Sequence, residues 1–161
     1  QVSVLGNVNR PGRYPLETLN SRVSDVLALA GGITQIGSDT VILTGIRAGK
    51  PVRLEIDVPA MFQDAKGDSD IAVHPGDAIY VHRAPMFYIY GEVQRPGAYR
   101  VERDMTVMQA LAQGGGPTLR GTERGLRIHR KDGSGKVQEL QPEMIDKVLT
   151  DDVLYVKESL F

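Results

Sequence analysis

Few side chains in this 161-residue chain could titrate near neutrality, ligate a metal or attack a carbonyl, and their spacing assembles no reaction centre. Imidazole does both of the first two, so the three histidines come first. His74, His82 and His129 are scattered, with no neighbour at the spacing of a zinc set or of a nucleophile–base pair. His74 precedes the Pro75-Gly76 turn and His82 ends a strand-like run. His129 alternates with Arg127 and Lys131, which directs it to solvent. Cysteine is absent, which excludes disulfides, thiolate metal sites and cysteine nucleophiles. Asp64, Asp68 and Asp70 gather carboxylates in "DAKGDSD", but a calcium loop needs alternating oxygens, a glycine at its sixth position and a late glutamate. The stretch therefore reads as a solvated acidic loop. "QGGGPT" (Gln113 to Thr118) would cradle phosphate only before a helix; it follows one, where carbonyls crowd. No catalytic residue, cofactor or metal is expected.

Two groups of residues suggest binding. Arg120, Arg124, Arg127, Arg130 and Lys131 form a basic stretch, diluted by Glu123 and Asp132, and are the candidate contacts for an anionic polymer or a partner. Tyr14 and Tyr99 would stack on sugars, but a ring beside a tight turn more often seals the edge of a small core, and packing is the preferred reading. The net charge of −1 supplies no long-range attraction for nucleic acid, which is excluded as a partner. With 41% hydrophobic and 24% charged residues the chain is globular, and no apolar run approaches the length of a membrane-spanning helix.

The elements that hold these residues are written twice. Gly6, Val8, Arg10, Pro11, Gly12, Tyr14 and Glu17 return, at an offset of 85, as Gly91, Val93, Arg95, Pro96, Gly97, Tyr99 and Glu102. Val23, Leu27, Ala28, Gly31, Gly32 and Thr34 return 84 residues on as Val107, Leu111, Ala112, Gly115, Gly116 and Thr118. "GDAIYV" (Gly76 to Val81) returns as "DDVLYV" (Asp151 to Val156), so the blocks keep their order. This predicts two homologous modules, 1–84 and 85–161.

In each module β-rich residues precede Arg-Pro-Gly, which predicts a strand, a tight type II turn with Pro11 or Pro96 at i+1 and Gly12 or Gly97 at i+2, and a return strand through Tyr14 or Tyr99. A helix follows, capped by Ser21 in the first module and by Asp104 or Thr106 in the second, and ended by Gly31-Gly32 or Gly115-Gly116. Hairpins around Ala48-Gly49-Lys50 and Asp132 to Gly135 come next, then a last strand. The predicted order is β-β-α-β-β-β, with a short helical turn before the last strand. One helix on a small mixed sheet gives an α+β module of the β-grasp type.

These motifs carry a family resemblance. "V-x-G-x-V-x-x-P-G-x-Y", a helix ending in paired glycines and "P-G-D-x-I-Y-V" resemble the SLBB domain, a soluble-ligand-binding β-grasp module. They fall here on Gly6, Val8, Pro11, Gly12, Tyr14, Gly31, Gly32, Pro75, Gly76 and Asp77. In the second copy, Gly91, Val93, Pro96, Gly97, Tyr99, Gly115 and Gly116 carry the same pattern and Asp151-Asp152 replaces the Pro75-Gly76-Asp77 motif. Two in tandem resemble the periplasmic part of Wza-type polysaccharide export proteins, closest in wording to exopolysaccharide exporters. The resemblance implies a non-catalytic ring-wall segment of an outer-membrane export protein in the periplasm. It implies a homo-oligomeric ring, a polysaccharide polymer and an inner-membrane polysaccharide co-polymerase as partners, with the outer-membrane pore supplied either by a further segment of the protein or by a separate outer-membrane pore protein. The family's export-signature domain and C-terminal amphipathic helix are not in this sequence, so the chain is expected to be a piece of a longer protein. The alternative is a monomeric small-ligand-binding β-grasp module.

Overall fold

The structure, a computed structural model, describes residues 1–18, 20–63 and 68–159. The chain divides into two compact units, the first ending at Ala84 and the second starting at Pro85. The first unit runs β1 (Val2–Gly6), β2 (Gly12–Tyr14), α1 (Val23–Leu29), β3 (Thr40–Arg47), β4 (Lys50–Asp57), α2 (Val58–Gln63) and β5 (Ala78–Val81). The second runs β6 (Met86–Gly91), β7 (Gly97–Arg100), α3 (Val107–Gln113), β8 (Gly121–Lys131), β9 (Val137–Leu140) and β10 (Val153–Glu158). The two five-stranded sheets have orders β2-β1-β5-β3-β4 and β7-β6-β10-β8-β9, which are the same topology. The first and last strands of each unit pair in parallel and all other pairs are antiparallel, so each unit is an α+β fold with a mixed sheet.

Strand alternation sets the cores. Val4, Ile79 and Leu43 lie abreast across the first sheet, and Ile89, Leu154 and Ile128 lie abreast across the second; all six are buried. Burying a side chain of this size contributes roughly 1.5–3 kcal/mol. The opposing layer is α1, through Val23, Val26 and Leu27, or α3, through Val107, Ala110 and Leu111. Each helix has seven residues. That is too short to persist alone, so packing and caps hold it.

The caps correct two expectations. The N-cap of α1 is Arg22, not Ser21, and Asp25 Oδ2 accepts from the Arg22 N–H at 2.9 Å. A second cap comes from far along the chain: Asp70 accepts from Ser24 N at 3.0 Å and from Ser24 Oγ at 2.6 Å. Asp70 is therefore a capping group and not a solvated loop carboxylate; Asp68 is exposed, and Asp64 lies outside the described residues. In α3 the cap is Thr106, whose Oγ1 accepts from Gln109 N while its own N–H donates to Gln109 Oε1, which is a capping box. The helical turn before the last strand occurs in the first unit, as α2; the second unit reaches β10 through turns.

Candidate functional site

The twice-written Arg-Pro-Gly phrase is more than a hairpin turn. The loop between β1 and β2 has five residues, 7–11, and Gly12 and Gly97 stand at φ 157° and 152°, not near the +80° of a type II turn. The loop bonds outward to the helix end instead of closing on itself. Asn9 N donates to Gly32 O and Arg10 N to Ala30 O; Gln94 N donates to Gly116 O and Arg95 N to Gly114 O. The guanidinium groups finish the cap: Arg10 Nη2 donates to Leu29 O at 3.2 Å, and Arg95 Nη2 to Gln113 O at 3.3 Å. A cation against the last carbonyls also opposes the negative end of the helix dipole. Tyr14 OH then donates to Arg10 O and Tyr99 OH to Arg95 O, while Tyr99 stacks on Phe87 at 5.8 Å. The glycine pairs complete the end. Gly32 N donates to Leu27 O and Gly31 N to Ala28 O, and the same pattern repeats from Gly116 to Leu111 and from Gly115 to Ala112.

A second paired device lies inside each unit, and the repeat alone does not show how it is built. Asp77 and Asp152, at 1% and 0% exposure, are two of the three buried polar residues among those described. Each carboxylate accepts a backbone N–H three residues back, from His74 or Leu149, and meets an arginine in a two-point pair. Arg47 Nη1 and Nη2 reach Asp77 at 2.9 and 2.7 Å; Arg130 Nε and Nη2 reach Asp152 at 2.9 and 2.8 Å. The aspartates are equivalent by sheet register but the arginines are not. Arg130 corresponds to Gly45, two residues before Arg47 on the same strand face. A Cβ on Gly45 would lie 2.0 Å from Asp77 Oδ1, so the glycine leaves the space the first pair needs.

Burial pushes the Asp77 carboxyl up, but the Arg47 hydrogen bond, the His74 N–H and the nearby positive charges outweigh it and hold it below the usual carboxylate value. Asp77 raises Arg47, and Asp152 raises Arg130, through the hydrogen bonds each guanidinium donates to its aspartate. The folded Asp77 thus binds fewer protons than the unfolded chain, whose aspartate titrates near about 3.9. Its stabilisation is complete above that value and is lost as pH falls through the lower folded one. The thermal midpoint of the first unit is expected to fall below about pH 4. Asp77→Asn is expected to flatten that slope in calorimetric scans, and an unchanged slope would assign the acid sensitivity to other carboxylates.

The basic stretch does not form one patch. Arg120 and Arg124 are exposed, Arg127 and Lys131 alternate with His129 on the open side of β8, and Arg130 turns inward to Asp152. Arg130 is thereby committed to an internal ion pair. His129 is partly covered: Tyr90 OH lies 3.4 Å from its Nδ1, and its ring centroid is 6.4 and 6.3 Å from those of Tyr90 and Tyr155. Tyr90 and Tyr155 stack at 4.6 Å with 23° between their planes. Burial, then the neighbouring Tyr155 and Glu139, raise the Tyr90 phenol above its ordinary value, so it stays neutral at physiological pH. The register of β6 and β10 places these rings together; in sequence, Tyr88 and Tyr90 show only as the outward positions of the period-two run "MFYIYG".

An open cleft of about 600 Å³ lies beside α3, lined by Arg95, Glu102, Arg103, Gln109 and Gln113 among others. Among the described residues no cluster of His, Cys, Asp or Glu could hold a metal ion, and no helix is long and apolar enough to cross a membrane.

Comparison with known proteins matches the SLBB domain family twice, over residues 1–81 and over residues 86–140. The chain is also 26% identical over 142 residues to the EPS I polysaccharide export outer membrane protein EpsA of Ralstonia nicotianae (strain ATCC BAA-1114 / GMI1000). That alignment covers 86% of this chain and 37% of the relative, so the chain spans little more than a third of the relative's length.

Proposed function

Because the chain belongs to the SLBB domain family in both of its units, we propose that it is a periplasmic wall segment of an outer-membrane polysaccharide export protein. The observation that carries this reading is the tandem itself, aligned across both modules with a relative named as a polysaccharide export outer membrane protein. In this reading each module forms part of the wall of a homo-oligomeric ring around a translocation conduit. They act as wall and docking surface, and no side chain performs chemistry. The partners are the polysaccharide, an inner-membrane polysaccharide co-polymerase and an outer-membrane pore. The caps and buried ion pairs support this role, because they stiffen each module from within and leave the open sheet faces to contact something else.

The test is the native mass of the full-length protein extracted from membranes, measured beside that of this chain. A discrete ring for the full-length protein is expected. Monomers in both cases would overturn the ring and favour a monomeric small-ligand-binding module.

A further inference from the structure

The repeat supplies an internal control for what the fold requires. Sheet register aligns the outward positions of the two units, and five of the six on the central strands differ, whereas the buried core positions are apolar in both. In the first sheet the open face carries Ser3, Leu5, Ile42, Thr44, Ile46 and Tyr80. The equivalent positions of the second carry Tyr88, Tyr90, Arg127, His129, Lys131 and Tyr155. On the three central strands an uncharged surface of aliphatic and hydroxyl residues with one tyrosine thus stands against an aromatic and cationic one; the edge strands of the first sheet add Arg13 and the mutually paired Arg53 and Glu55. Folding does not require the difference, since the first unit builds the same topology without it.

The second face has the parts of a glycan platform. Tyr88 and Tyr90 are 38% and 40% exposed, and Tyr90 stacks with Tyr155 on the neighbouring strand. Tyrosine offers a rigid apolar ring for sugar C–H groups and a hydroxyl for sugar hydroxyls, at little entropic cost. Its charge has one sign in excess. Glu139 is shared by Lys157 Nζ at 3.8 Å and His129 Nε2 at 3.9 Å, while Arg127 and Lys131 make no ion pair with it.

We propose that the open face of the second sheet binds an acidic polysaccharide, with Tyr88, Tyr90 and Tyr155 packing against sugar rings and Arg127, Lys131 and Lys157 meeting their carboxylates. That the ligand is a polysaccharide rests on the export reading; that it is acidic rests on the charge of this face.

The chain is titrated with an oligoguluronate hexasaccharide and, separately, with maltohexaose. There is no tryptophan and three of the six tyrosines lie on this face, so the change in tyrosine emission that Tyr90→Leu removes reports on the site, and calorimetry gives the affinity. The acidic hexasaccharide is expected to bind, more weakly as salt is added because the cations are exposed. Maltohexaose should bind at least about tenfold more weakly, by the loss of these charge contacts. Tyr90→Leu installs the residue that the first sheet holds at that position, so the fold accepts it, and should weaken binding about tenfold. Lys131→Glu should weaken the acidic ligand alone, and Tyr80→Leu in the first sheet should change nothing. No binding of either glycan, equal binding of both, or indifference to Tyr90→Leu overturns the proposal. Secreted polymer is measured in cells lacking the full-length protein. Lost secretion without glycan binding overturns the binding face and keeps the export reading, whereas unchanged secretion overturns the export reading itself.

Discussion

Asp152→Ala is expected to lower the thermal midpoint of the second unit by more than about 10 °C, or to leave that unit unfolded at room temperature. Removing one member of a buried ion pair leaves the other without its counter-charge, at a cost of about 3–5 kcal/mol. In a domain of this size each kcal/mol moves the midpoint by roughly 4–8 °C. Asp152 is fully buried and serves two partners, so the alanine variant loses the Arg130 fork and the acceptor for Leu149 N–H together. The double replacement Arg130→Met, Asp152→Leu separates these losses. It removes the charge problem and leaves the Leu149 N–H without its acceptor, so it should recover most of the midpoint but not all of it. Asp77→Ala is expected to act alike on the first unit. A shift of only a few degrees for Asp152→Ala would mean that Arg130 finds water or another acceptor, and the pair would then be a minor contributor.

Gly91→Ala is the second large effect expected. Gly91 ends β6 at φ 92°, and an added Cβ would lie 2.3 Å from Val156 O and 2.9 Å from the Tyr155 ring. The left-handed backbone alone costs an alanine roughly 1–2 kcal/mol. The clash is with backbone oxygen on the parallel partner strand, and relieving it means moving β6 away from β10. A total above about 3 kcal/mol follows, because strain and overpacking add. Gly116→Ala isolates the strain. Gly116 has φ 77° and open space where a Cβ would go, so its variant should lose only the backbone contribution. Urea titrations of the two variants should therefore differ by more than about 1 kcal/mol. Equal losses would show that the sheet yields to the extra carbon and that strain alone matters.

Much of this was legible beforehand, for identifiable reasons. Two ordered copies of one phrase showed the duplication; that Val4, Leu43 and Ile79 are the strand residues that fill the core follows from the sheet register. The glycine pairs announced helix ends because few other residues accept that backbone. The sequence narrowed the cap of α3 to Asp104 or Thr106, and the reciprocal hydrogen bonds with Gln109 decide for Thr106. Asp70 was not readable as a cap, because it caps α1 from 46 residues away, and nothing nearby in sequence records that contact. The wide Arg-Pro-Gly loop was misjudged because its hydrogen bonds go to the helix end instead of across a turn.

Local pattern by itself therefore determined the α+β class and the repeated order of elements, since period, turn chemistry and helix ends act between near neighbours. Tertiary structure decided which charges are buried and which are presented. The two inward arginines sit at non-equivalent positions, so aligning the halves could not pair Arg47 with the role of Arg130. Tyr90, His129 and Tyr155 are far apart in sequence, and only the order and register of β6, β10 and β8 bring them onto one face. A strand's periodicity says which residues share a side; the neighbouring strands say what stands beside them.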